Sequence, residues 1–184
     1  MNGEFSPERS AAEQAAKEQE WQHLLEEADQ MADRLGAPID PGIKETVVGL
    51  WAHNLTTGQS CEGHDNQAEA LPWVSVVAPE PEGWHDNPKL TKQWQQENEQ
   101  LASHLQEILD EWYLRRTESG KSISNELRLA EAPQGIYGAF RLQSGEQERI
   151  SGLPGSERAR LANPHREEMK LFAAYLKDRF LGTS

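Results

Sequence analysis

Positive charge, cysteine and long apolar runs are what this chain of 184 residues has least of. It holds 18 Lys and Arg against 31 Asp and Glu, a formal net charge of −13. Such a chain repels phosphate backbones, so general nucleic-acid binding is disfavoured. The one cysteine excludes an internal disulfide and fits a reducing compartment. No apolar run approaches the roughly 20 residues of a membrane span, so no membrane partner is expected. Met1 to Ser10 is polar and lacks an apolar signal core, and the expected location is the cytoplasm. No nucleotide motif of the G-x-x-x-x-G-K-[ST] or G-x-G-x-x-G type occurs.

The charge is unevenly spread. Residues 1–92 carry 6 Lys/Arg against 17 Asp/Glu, and residues 93–184 carry 12 against 14. Arg115, Arg116, Lys121, Arg128, Arg141, Arg149, Arg158 and Arg160 fall in the second half. Without interleaved aromatics they read as solvated surface.

Helix and strand signals come in a definite order. Ser6-Pro7-Glu8 opens a helix. Residues 1–20 have little to bury and predict an exposed helical extension. From Trp21 a stripe of Leu24, Leu25, Ala28, Met31, Ala32 and Leu35 makes one apolar face, closed by Gly36 and Pro38. Asp40-Pro41 starts a short buried helix with Ile43, Val47, Leu50 and Trp51 inward. Residues 71–77, Leu-Pro-Trp-Val-Ser-Val-Val, form a buried strand. Lys89 to Arg116 is a long helix, with the run Gln93 to Gln100 as its exposed face. Glu126 to Ala130 and Ile136 to Leu142 form a hairpin whose second strand buries one face. Asn163-Pro164 starts the last helix, after a short one over Ser156 to Leu161. Strands and helices do not alternate regularly, which argues against a doubly wound sheet. The expectation is an α+β fold: a small, mainly antiparallel sheet with a long central helix and terminal helices packed on it, as one domain over residues 21–184.

Reactive side chains concentrate in one stretch, residues 56–64, Thr-Thr-Gly-Gln-Ser-Cys-Glu-Gly-His. A thiol nucleophile needs a proton acceptor, and His64 can reach back to Cys61 within a turn. Glu62 can orient an imidazole, and backbone N–H groups near Gly58 and Gly63 can hold an anion. The alternative is a small cysteine buried at a strand end. Cys61-x-x-His64 is also a zinc-ligand spacing, with His53, Asp65 and His85 as further donors. A structural zinc site carries a second clear pair, which this chain lacks, so no metal is assigned. Cys61, His64 and Ser60 are the catalytic candidates. Thr57, Gly58, Glu62 and Gly63 are the ligand-binding ones. Among the tryptophans, Trp84 alone falls in a loop and is the candidate lid or partner contact.

Residues 36–48 (Gly-Ala-Pro-Ile-Asp-Pro-Gly-Ile-Lys-Glu-Thr-Val-Val), residues 57–64 and Pro72-Trp73-Val74 together resemble a family of uncharacterised bacterial proteins. The closing Glu168-Met169-x-x-Phe172-x-x-Tyr175-Leu176-Lys177 resembles it too. In that family an acid often follows the Trp-Val pair, where Ser75 stands here. More distantly, Gly36, Ile39-Asp40, Thr56-Thr57, Ser60-Cys61 and Gly63-His64 are similar to a pattern in the tRNA methyltransferases of wybutosine synthesis. His64 replaces that family's arginine, and two residues separate the threonines from Ser60. This similarity implies a related α/β fold with a shared ligand loop, and through it S-adenosylmethionine or RNA. The leading expectation is a ligand or active site at residues 56–64, in a methyltransferase-like transferase if the protein is an enzyme. The alternative is a non-enzymatic acidic protein whose N-terminal helix engages a basic protein partner or imitates DNA.

Overall fold

The computed structural model describes residues 7–32, 36–64, 70–118, 120, 125–132 and 138–183. Four strands form one sheet in the order β1-β2-β4-β3, with β1 Thr57–Cys61, β2 Trp73–Val76, β3 Leu127–Glu131 and β4 Phe140–Ser144. All three pairings are antiparallel. The α+β architecture is the expected one. Val74, Val76, Leu127 and Leu142 bring one sheet face into the main core. Against them pack Leu105, Ile108, Leu109 and Trp112 of the long helix α3 (Pro88–Glu118). The short helix α4 (Gln147–Ser151) and the final helix α5 (Gly155–Leu181) follow.

The second sheet face departs from the expectation of one buried side. Arg141 and Gln143 of β4 are buried, as is Trp73 of β2. The Arg141 guanidinium lies 3.6 Å from the Trp73 ring centroid, an arrangement in which the flat cation stacks on the aromatic face. Asn98, read as part of an exposed run, is also buried; its Oδ1 accepts the Ala78 N–H at 2.6 Å. A polar atom satisfied in this way costs little to bury.

Helix α2 (Pro41–Ala52) lies between α1 (Pro7–Gln30) and α5. Gly49 sits so close to α5 that a Cβ there would come 2.8 Å from the Leu176 Cβ. In α1, Trp21 and Ala28 pack with Val48 of α2 in a second small core. The apolar stripe was expected to continue to Leu35, which lies outside the described residues; the helix ends at Gln30 and Met31 is 51% exposed. Beyond the helix, Ala32 is bridged to Pro38 in antiparallel fashion, and Gly36 has φ +80°. Residues 11–20 of α1 are mostly exposed, as expected, although Lys17 Nζ reaches the Phe180 carbonyl at 2.8 Å, at the electronegative end of α5.

The last helix also departs from its expected start. It begins at Gly155, with Pro154 in the cap position, and runs through Pro164 without a break. The short helix expected over residues 156–161 is its first part. Pro164 removes one helical hydrogen bond, but its neighbours Ala162, His165, Glu168 and Met169 are buried, and this packing holds the helix together. The turn residues 133–137 of the expected hairpin lie outside the described residues, as does Ser6, the expected first cap. Among the described residues, no helix is long and apolar enough to cross a membrane.

Candidate functional site

Strand β1 carries the reactive stretch to the start of α2. Thr57 pairs with Val76 and Ser60 with Val74, so β1 holds one residue more than β2 between these pairs. This bulge at Gly58 and Gln59 resets the strand so that Cys61 lies opposite Trp73. Beyond Cys61 the chain turns through Gly63, at φ +83°. The turn points the Gly63 N–H at the Cys61 Sγ, at 3.3 Å.

Asp40 stands where the sequence placed it, just before α2, but its carboxylate does not cap that helix. Asp40 Oδ2 instead accepts the Glu62 N–H at 3.1 Å. In return the Glu62 carboxylate accepts the Gly42 N–H, in the first turn of α2, at 2.7 Å. The two carboxylates have exchanged duties: Glu62 satisfies the helix, and Asp40 turns toward the loop. His64 Nε2 faces Asp40 Oδ2 at 3.4 Å. One ligating atom from each of Asp40, Cys61 and His64 lies within 4.8 Å of the other two.

A cavity of about 530 Å³, within the size range of small-molecule sites, meets this cluster at His64, the one member of the trio that lines it. Gly42, Glu62, Gly63 and His64 form one side; Arg166 and Lys170 of α5 form the other. Arg166 Nη2 donates to the Gly63 carbonyl at 2.9 Å and also reaches the Ala70 carbonyl at 3.5 Å. It thus fixes the loop backbone on both sides of residues 65–69.

The structure places Glu62, Gly63 and His64 in the cavity wall, sets Cys61 behind it beside His64, and leaves the other candidates apart. Thr57, at the far end of β1, accepts the Trp51 indole N–H at 2.8 Å and ties the strand to α2. Gly58 lies in the bulge, and Ser60 pairs with Val74. His53 is elsewhere: its Nε2 donates to the Leu176 carbonyl at 3.0 Å, and its Nδ1 accepts from Arg179 at 3.3 Å. Burial, the largest influence, pushes its pKa down, which fits this neutral tautomer. His85 is exposed and stacks on Trp84. Trp84 itself is half-buried against Trp94, with ring centroids 5.1 Å apart, so it packs as part of the fold. Asp65 lies outside the described residues.

Sequence reasoning missed two contributors. Asp40 was read only as a helix cap, although the Ile39-Asp40 pair is part of the pattern that carries both resemblances. Arg166 reaches the loop from about 100 residues away, and no local signal announces it. No family model, curated protein or solved structure matches the chain.

Proposed function

We propose that the chain binds a small polar molecule in the cavity between the start of α2, residues 62–64 and α5, with Asp40, Cys61 and His64 acting on it together. The observation that carries this reading is the convergence of a carboxylate, a thiol and an imidazole beside a cavity of ligand size. Asp40 and His64 retain 31% and 33% side-chain exposure, so a ligand can reach them. Group transfer requires an acceptor to be oriented and activated, and a carboxylate, a thiol and an imidazole at one point are side chains suited to that. The resemblance to wybutosine-pathway methyltransferases supports a transferase as the reaction class and S-adenosylmethionine as the first ligand to try.

The test is a thermal-shift panel of S-adenosylmethionine, inorganic phosphate and small carboxylates on the full chain. A ligand that binds only the folded state raises the melting temperature. At least one probe should shift the wild type and fail to shift C61A and H64A. If no probe shifts the wild type, or the shift persists in both variants, the reading fails.

The exposed first half of α1 supports a second reading. Glu13, Glu18 and Glu20 stand on its solvent side, where an acidic helix can engage a basic partner. Removing residues 1–20 should then weaken salt-sensitive binding to polylysine; unchanged binding counts against it.

A further inference from the structure

We infer that Asp40, Cys61 and His64 are the three protein ligands of a divalent transition-metal ion of the zinc class. The inference rests on the reading of residues 56–64 as the working site and names the cofactor of that site. Thiolate, imidazole and carboxylate are together a donor set that suits zinc, and three protein ligands leave one of four positions for water or a bound molecule.

The geometry is close to what the metal requires. Metal–ligand bonds of 2.0–2.3 Å imply ligand-to-ligand edges of roughly 3.3–3.8 Å in a tetrahedron. The edge from His64 Nε2 to Asp40 Oδ2 is already 3.4 Å. The remaining pairs lie within 4.8 Å, so side-chain rotations of about 1 Å close the set.

The surroundings are also those of a ligand set. Gly63 N–H points at the sulfur, and Glu62 N–H points at the Asp40 carboxylate. Peptide donors of this kind hold anionic ligands in position and offset part of their charge. The left-handed turn at Gly63 folds the Cys-x-x-His segment so that residues three apart face one point. Glu62 is held on the first turn of α2 and stays outside the set. His64 is part of the cavity wall, so the open position is accessible from the cavity. Binding displaces the thiol proton to solvent and is therefore favoured by raising pH.

Cobalt(II) reports on such a site directly, because a thiolate bonded to it gives a near-ultraviolet charge-transfer band. The full chain, stripped with a chelator, is titrated with cobalt and then with zinc. The expected result is one cobalt per chain, the thiolate band, and its loss as zinc displaces cobalt. C61S should lose the band, and H64A and D40N should each weaken binding about tenfold or more. H53A, whose ring lies outside the cluster, should bind like the wild type. Absence of the band in the wild type overturns the inference, and this readout does not depend on any variant folding. So does unchanged cobalt affinity in H64A and D40N. A cobalt–thiolate band without any probe-dependent thermal shift keeps the metal site and sinks the ligand reading. A probe-dependent shift without the band does the reverse.

Discussion

Gly63 sits at φ +83°, and its missing side chain is a structural requirement. A Cβ there would lie 2.4 Å from the Ala70 carbonyl oxygen and 2.8 Å from the Leu71 carbonyl carbon. Both obstacles are backbone and cannot rotate away. Gly63→Ala combines this clash with a strained conformation, so it should cost about 2 kcal/mol or more in urea unfolding. It should also move His64 away from Cys61 and remove cobalt binding. A variant as stable as the wild type would show that residues 62–64 tolerate another path. The glycine-flanked Cys-x-x-His was legible as a candidate site because reactive groups and turn residues share one short segment. Asp40 was not legible as a partner. A carboxylate ahead of Pro41 satisfies every rule for a helix cap, and only the fold shows Glu62 taking that duty.

Elements that bury regular stripes were the easiest to read. β2, apolar but for Ser75, emerged as the buried strand expected, and the fold places it inside the sheet between β1 and β4. β1 is harder, because Gly58, Gln59 and Ser60 carry little strand propensity; its place is set by pairing with β2. Helix α5 shows the opposite failure. Asn163-Pro164 is a sound local start signal, overruled by the packing of Ala162, His165 and Met169. Pro164 is therefore a local cost inside a helix held by tertiary contacts. Its side chain is exposed, so Pro164→Ala restores a backbone N–H without emptying the core. The substitution should stabilise the chain by about 1–3 kcal/mol in denaturant unfolding. A loss of stability would mean that the helix is bent to fit the proline. At the other end of the site, Glu62→Ala deprives the first turn of α2 of its acceptor. It should cost about 1 kcal/mol by the same measurement, and an unchanged midpoint would show that water replaces the carboxylate there.

At the scale of the whole molecule, several polar groups join the helices through the core. Tyr113 donates to Glu168, a buried carboxylate that also pairs with Arg116, and the Tyr113 oxygen accepts the Leu127 N–H at 2.5 Å. These contacts tie α3, α5 and β3 together, and no sequence period encodes them. Two histidines belong to the same layer of hidden structure. His53 joins α2 to α5 through Leu176 and Arg179, and Arg179 also pairs with Glu111 of α3. His165 Nδ1 lies 2.8 Å from the Ser144 hydroxyl, which also accepts the Glu146 N–H. Burial is the largest influence on both rings and pushes both below the ordinary 6.5. Around His53, Arg179 and His104 act in the same direction and Glu111 opposes. Around His165, Glu146 raises and Arg149 lowers. The unfolded chain therefore binds more protons than the folded one between the depressed values and 6.5, and stability rises with pH across that window. The contribution is complete above 6.5 and is lost as pH falls below it. Urea midpoints should be flat above neutrality and decline from about pH 6.5 downward. His53→Gln keeps a donor for Leu176, and His165→Asn keeps a polar partner for Ser144, so the double variant should fold with a lower midpoint but a flatter profile. An equally steep decline in that variant would assign the acid sensitivity to other groups.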